Sequence, residues 1–322
     1  MLSSQVVYKL GKYLRWKFDT EKDQTGCRTL PMLGNLERYG DIGFSEALIV
    51  EAKPERLQGM RDELDAILMN RSCTSGTASS LRGKALHLSL TRPGKTGRLP
   101  IPFLDALAEG KSVGWSVQLQ EDLEFMRAQL DEVHQRKYPL LTCINSGPRL
   151  WSDASFSIVE GKPWMRICSI CASNSHAEGI VFDITDEFFS RLCPRKTQIN
   201  VGELLGMLVA FPTFKDYLYA CSTIIFCDNI GMIHTAVNGA GYAPDIRLLA
   251  HCISLYTSKL LITPWFEYVN TLSNPTDGGS REGITCETAR SLGVCLRQIK
   301  CPKLHDKFPS ASLQLEAICF NV

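Results

Sequence analysis

Apolar residues in the first half of the chain recur at the spacing of an amphipathic helix. A first helix is predicted to begin at Pro54, because proline is favoured at the first helical position. One face of this helix carries Leu57, Met60, Leu64, Ile67 and Leu68. Two more helices are predicted, one from about Thr77 to Leu86 and one from Glu121 to Gln135, with short strands before residue 52. Residues 1–148 are therefore predicted to form a mainly helical domain.

After Gly147 the pattern changes to short runs that are rich in Ile, Val, Trp and Phe, which is typical of strands. Five strands are predicted: Leu150–Ala154, Met165–Cys171, Ile180–Ile184, Thr223–Cys227 and Ile262–Val269. Helical patterns separate the later strands: Val201–Leu208, Gly231–Asn238 and Ile246–Leu260. Three successive strands followed by alternating helices and strands indicate an α/β domain with a mixed five-stranded sheet flanked by helices.

Composition limits the class of protein without naming its function. The chain has 322 residues, of which 44% are apolar and 21% charged, as in a globular protein with roughly two domains. Its longest apolar run, Tyr217–Cys227, is too short to cross a bilayer. Lysine and arginine between Lys9 and Lys17 interrupt any apolar leader. Thirteen cysteines without a repeating spacing favour free thiols in a reducing, intracellular compartment.

One segment is basic although the whole chain has a net charge of only +1. Between residues 71 and 98 there is no acidic residue, and the cations are Arg71, Arg82, Lys84, Arg92, Lys95 and Arg98. Such a segment is either a solvated helix face with a loop or a surface that contacts a phosphate backbone, where each neutralised phosphate releases a counterion. Composition by itself favours the solvated face.

Four carboxylates lie at the ends of predicted elements. Asp153 ends the first predicted strand, Glu203 is in the first turn of the following helix, and Asp228 comes directly after the fourth strand. Asp277 follows the fifth strand. Such positions can converge at one edge of a sheet and supply the oxygen ligands that Mg²⁺ prefers. Each acid alone also fits a turn or a helix N-terminus. The prediction of a metal site therefore depends on the order of all four acids along the chain.

This order resembles ribonuclease H, in the form that follows reverse transcriptase in retroelement Pol polyproteins. The resembling segments are Leu150–Ser155, Asn200–Leu205, Ile225–Asn229 and Ser273–Arg281. The upstream half is similar to the end of a polymerase palm, the thumb and the connection, on Lys53–Leu57 and Thr77–Lys84. The resemblance divides the chain into residues 1–148, a ribonuclease H-like domain at 149–281, and an extension of unknown role at 282–322.

The resemblance implies a two-metal hydrolysis of the RNA strand of an RNA–DNA hybrid, with Mg²⁺ or Mn²⁺ as the ions. Asp153 and Asp228 would share the ions, and Glu203 and Asp277 would complete the set. The residues expected to bind nucleic acid are Arg82, Lys84, Arg92, Lys95, Arg98 and Asn229. The hybrid would be recognised by its backbone shape and its 2′-hydroxyl groups, with little base specificity.

Two departures keep alternatives open. No Asp-Asp pair occurs in the chain, so we expect no DNA synthesis by this chain alone; a polymerase domain would be a partner. Ile262–Thr276 contains no histidine, although many ribonucleases H carry one before the last aspartate. One alternative is a catalytically inactive nucleic-acid-binding or scaffolding remnant of such a polyprotein. Another is an unrelated exonuclease on the same kind of sheet.

Overall fold

The fold was obtained as a computed structural model. It describes residues 29–32, 35–39, 47–89, 91, 98, 100–111, 115–131, 135–139, 147–174, 176–239, 241, 243–305 and 318–319. Within these ranges, every helix is too short or too polar to span a lipid bilayer.

Within the described residues, the first part of the chain combines a small antiparallel sheet with four helices. The strands are β1 (Thr29–Met32), β2 (Asn35–Tyr39), β3 (Ala47–Ala52) and β4 (Gln135–Pro139), and they pair in that order. The helices are α1 (Pro54–Asn70), α2 (Ser75–Leu88), α3 (Ile101–Ala108) and α4 (Val117–Gln129). The strands before residue 52 and the helix at Pro54 are confirmed, whereas β4 and α3 were not predicted.

The helices of this part share one core, which the predicted apolar positions form. Met60, Leu64 and Ile67 of α1 are buried against residues of α2, α3 and α4. The prediction was wrong at the bounds of the last helix, because α4 begins at Val117 rather than Glu121. The hydroxyl of Ser116 accepts a hydrogen bond from the Leu119 N–H at 3.1 Å and caps the helix there.

The second part is an α/β unit built on a mixed sheet of six strands. The strands are β5 (Arg149–Val159), β6 (Lys162–Ser173), β7 (His176–Asp183), β8 (Ser222–Cys227), β9 (Thr263–Tyr268) and β10 (Cys295–Gln298). The helices are α5 (Asp186–Phe189), α6 (Ile199–Thr213), α7 (Lys215–Leu218), α8 (Ile230–Asn238), α9 (Pro244–Lys259), α10 (Asp277–Glu282) and α11 (Glu287–Ser291). A two-residue pair, β11 (Lys303–Leu304) and β12 (Ile318–Cys319), follows.

The strand order is β10-β7-β6-β5-β8-β9. Strands β5, β6 and β7 pair antiparallel, whereas β8 and β9 continue the sheet in parallel with β5. The five predicted strands are all present. The sixth, β10, comes from the segment expected to be an extension, and it pairs in parallel with β7.

Helix α6 packs unusually close to the sheet because two of its residues are glycines. A Cβ atom on Gly202 would lie 2.6 Å from Ala154 Cβ and 2.6 Å from Met165 Sδ. A Cβ atom on Gly206, one turn later, would overlap the Ser152 hydroxyl. The carbonyl oxygen of Gly206 accepts a hydrogen bond from Ser169 Oγ at 3.0 Å. The glycines therefore let the helix that carries Glu203 approach the strand that carries Asp153.

Helix α9 is covered on both sides, by the sheet core and by the helical part of the chain. The His251 ring packs edge-on to Phe125 with centroids 4.4 Å apart. The Arg247 guanidinium lies over the Phe103 ring and 3.5 Å from a carboxylate oxygen of Asp122, and both charged side chains are almost fully buried. The two parts of the chain thus meet in a packed interface.

We predict that Gly202→Ala destabilises the fold by roughly 1–3 kcal/mol, because the added methyl group meets the fixed Cβ of Ala154. Urea unfolding at neutral pH measures the change. The matched control is Gly59→Ala in α1, where an added Cβ meets nothing within 4 Å. Alanine is the better helix former, so the control should gain up to about 1 kcal/mol. Equal stability of the two variants would contradict the close packing of α6.

Candidate active site

A cleft opens at the point where two paired strands separate. Strands β5 and β8 pair in parallel from Arg149 with Ile224 to Trp151 with Phe226. Beyond this point β8 ends, while β5 continues along β6 as far as Val159. Asp153 and Asp228 each lie two residues beyond the last pair, so both carboxylates lie where the two strands separate.

The other two acids reach the same cleft from different elements. Glu203 lies in α6, close to the N-terminal end that packs on β5. Asp277 is the first residue of α10, after a short 3₁₀ turn at Thr271–Ser273. The cleft has a volume of about 700 Å³, and Asp153, Glu203, Asp228 and Asp277 all line it. The structure thus brings together the four acids that the sequence order singled out.

Each carboxylate receives a hydrogen bond or ion pair from a nearby donor. Ser280 Oγ donates to Asp153 Oδ2, and Thr271 Oγ1 donates to Asp228 Oδ2 at 2.8 Å. The remaining two pairs are Arg281 to Asp277 Oδ1 at 2.7 Å and Cys227 Sγ to Glu203 Oε2 at 3.6 Å. The donors fix the orientation of the acids.

Burial and mutual repulsion raise the pKa of Asp153. Its side chain is 5% exposed, and loss of solvation is the largest cause of a pKa of about 6. The negative charges of Asp228 and Asp277 raise the pKa further. The hydrogen bond from Ser280 and the charge of Arg281 lower it, but they do not compensate.

Glu203 is the most deeply buried of the four acids, and its pKa is raised well above the usual range by loss of solvation and by the charges of Asp153 and Asp228. The neighbouring Cys227 thiol is also buried, and its pKa is raised chiefly by burial and by the charge of Glu203. The thiol therefore remains protonated and donates toward the carboxylate. Ligand atoms of Glu203, Cys227 and Asp228 all lie within 4.8 Å of one another.

This set of donors fits a hard divalent cation. It offers carboxylate oxygens from four elements, and oxygen is the ligand that Mg²⁺ and Mn²⁺ prefer. Burial, together with the charges of Asp228 and Asp277, makes the ionised form of Asp153 costly in the protein alone. A divalent cation would favour the ionised carboxylates and remove this cost.

The residues expected to bind nucleic acid occupy different places. Asn229 lines the cleft; its Oδ1 accepts a hydrogen bond from the Met232 N–H, and its Nδ2 donates to Asn200 Oδ1 at 3.0 Å. Arg82 forms an ion pair with Asp105, and Lys84 lies 2.5 Å from Glu63. Part of the positive charge of the basic segment is thus neutralised by acids from other elements.

Arg98 is engaged within the chain. Its guanidinium donates to Ser89 Oγ at 3.1 Å and to the carbonyl oxygen of Asn238 at 3.5 Å, and burial lowers its pKa. Asn238 ends α8, the helix that Asn229 caps at the cleft. Arg92 and Lys95 lie outside the described residues.

Three side chains that bind acids of the cleft have no role predicted from the sequence: Thr271, Ser280 and Arg281. Ser280 and Arg281 lie within the segment that resembles ribonuclease H, and their signal is helical spacing from Asp277. Ser280 is three residues later and Arg281 four, which places both beside Asp277 on the same turn. Thr271 carries no comparable signal, because its contact with Asp228 depends on how the turn folds.

We predict that Asp153→Asn stabilises the metal-free protein near pH 7 and has little effect near pH 4. The folded-state pKa of about 6 lies above the unfolded value of about 3.9, so the folded chain binds more protons between these values. Stability contributed by the protonated carboxyl is therefore lost as the pH rises from about 4 to 6. At pH 7 the cost is roughly 2–3 kcal/mol.

Urea unfolding in chelator from pH 4 to pH 8 measures this difference. The control is Asp216→Asn, which changes an exposed aspartate at the start of α7 that does not line the cleft. A stabilisation by Asp153→Asn that did not grow with pH would contradict the electrostatic description of the site.

Comparisons with known proteins show similarity in structure but not in sequence. No protein-family model matches the chain, and no curated protein matches it by sequence. Among solved structures, it is similar to the N-terminal ribonuclease H domain of a Mycobacterium tuberculosis protein, solved as a fusion with maltose-binding protein. The identity is 12% and the TM-score 0.32, over 45% of this chain and 98% of that chain. The mixed six-stranded sheet with flanking helices is itself consistent with the ribonuclease H-like fold expected from the sequence.

Proposed function

We propose that this chain hydrolyses the RNA strand of RNA–DNA hybrids with the help of two divalent cations. The observation that carries the proposal is the convergence of Asp153, Glu203, Asp228 and Asp277 on one cleft. The four acids come from β5, α6, the end of β8 and α10, so the fold rather than local sequence assembles them. Their order along the chain is the order that led us to expect this chemistry.

The acids would hold the cations, with Asp153 and Asp228 sharing them and Glu203 and Asp277 completing the set. When bound, two Mg²⁺ ions would lower the pKa of a water molecule and stabilise the leaving oxygen of a phosphodiester. The chain itself contributes orientation. Ser280 and Thr271 fix one oxygen each of Asp153 and Asp228.

Polar and cationic groups around the cleft support a nucleic-acid substrate. Asn229 and Arg281 both line the cleft, and Arg281 is 63% exposed although it pairs with Asp277. An amide and a guanidinium suit contacts with sugar hydroxyls and phosphates rather than with bases. The basic segment from Arg71 to Arg98 would extend this contact, with Arg82 and Lys84 already paired to acids of the chain.

We further propose that the chain derives from a retroelement Pol protein and acts beside a polymerase domain. The support is the resemblance of Lys53–Leu57 and Thr77–Lys84 to the end of a polymerase palm and thumb. The packing of α4 against α9 supports joint action of the two parts, because it fixes the helical part beside the domain that carries the cleft.

We predict that the purified chain cleaves the RNA strand of a uniformly labelled RNA–DNA hybrid with Mg²⁺ or Mn²⁺ and not with chelator. Asp153→Asn should abolish cleavage, because it removes a negative charge that would bind the cations. It should leave hybrid affinity nearly unchanged, because the residues that would contact the hybrid at the edge of the cleft remain. Asp216→Asn should cleave like the wild type. Gel analysis of both labelled strands is the measurement.

Three other outcomes would each contradict part of the proposal. Salt-sensitive hybrid binding without cleavage would favour the inactive remnant. Stepwise digestion from one end would indicate an exonuclease. Full activity of Asp153→Asn would mean that the cleft is not the active site.

A further inference from the structure

Ser280 is a buried hydroxyl group that contacts two of the segments carrying the acids of the cleft. Its side chain is fully buried, and its hydroxyl donates to Asp153 Oδ2 while lying 2.9 Å from the carbonyl oxygen of Asp277. A serine hydroxyl has one proton, and the carboxylate is the stronger acceptor. Ser280 therefore links the strand that carries Asp153 to the helical turn that carries Asp277.

Helix α10 is held so that this short side chain can reach the strand. Gly279 faces β6, where an added Cβ would lie only 3.1 Å from Cys168 Cβ. At the other end of the helix, Arg166 donates to the Arg281 carbonyl oxygen at 3.3 Å and is itself paired with Asp183. The position of Ser280 is thus fixed by packing on one side and by a hydrogen bond on the other.

The other side-chain donors to the acids hold them less firmly. Cys227 is a thiol 3.6 Å from Glu203, and a thiol is a weak donor. Arg281 is 63% exposed, so its ion pair with Asp277 is screened by solvent. Thr271 donates at 2.8 Å, but its contact with Asp228 is only partly buried. Ser280 combines full burial with a direct hydrogen bond to a charged acceptor.

We propose that Ser280 is a positioning residue for the cation site and acts through Asp153. This inference rests on the proposed function, because it gives Ser280 a role at the same site. The hydroxyl restricts rotation of the Asp153 carboxyl group. Loss of such an outer hydrogen bond typically weakens metal binding or activity about 10–100-fold.

The test measures binding of Mn²⁺ alone, from the signal of free Mn²⁺ in electron paramagnetic resonance. Ser280→Ala removes one oxygen atom, and we expect it to weaken Mn²⁺ binding about 10–100-fold with an unchanged circular dichroism spectrum. Ser280→Thr retains the hydroxyl and should bind Mn²⁺ like the wild type. Ser254→Ala is the matched control, since Ser254 is also buried but donates to the Ala250 carbonyl oxygen within α9.

The outcomes separate this inference from the proposed function. Mn²⁺ binding by Ser280→Ala that equals the wild type would overturn the positioning role and leave the proposed function intact. Equal weakening in the alanine and threonine variants would also overturn it, since the hydroxyl would then be irrelevant. A wild-type chain that neither binds Mn²⁺ nor cleaves the hybrid would overturn both.

Discussion

The burial of mutually repelling carboxylates at the separation of β5 and β8 is the constraint on which the rest of the site depends. The two strands pair only as far as Trp151 and Phe226, and each continues into an aspartate. The fold then adds Glu203 and Asp277 to the same space, where burial raises the pKa of Asp153 to about 6. With its acids ionised and no cation bound, such an arrangement costs the protein stability.

The elements around the cleft are arranged so that these acids stay together. The glycines of α6 let Glu203 approach β5, and Gly279 lets α10 approach β6. In each of these helices, the acid (Glu203 in α6, Asp277 in α10) lies on the same turn as a glycine that approaches the sheet. Farther away, Arg247 and His251 join α9 to the helical part of the chain, so the sheet is supported on the side remote from α10.

The sequence predicted the acids and the strands more completely than the contacts between them. The strand at Thr223–Cys227, for example, was recognisable because it is a largely apolar run that ends at Asp228. The donors Ser280 and Thr271 were missed because a hydroxyl becomes a partner of an acid only through tertiary packing. Strand β10 was missed for a related reason, since four residues at a sheet edge carry little periodic signal.

The basic segment shows that the charge counted along the sequence is not the charge available in the folded protein. Arg82 and Lys84 have no acidic neighbours in sequence, yet the fold brings Asp105 and Glu63 to them. Arg98 is likewise engaged with the end of α8. A count of cations over residues 71–98 therefore overestimates the charge available to a phosphate backbone.

Anomalous diffraction from crystals soaked in Mn²⁺ tests most directly whether the four carboxylates hold cations at one site. We expect anomalous peaks in the cleft, about 2.0–2.6 Å from oxygens of Asp153, Asp228 and at least one of the other two acids. An empty cleft at millimolar Mn²⁺, with the four side chains unchanged, would contradict this expectation.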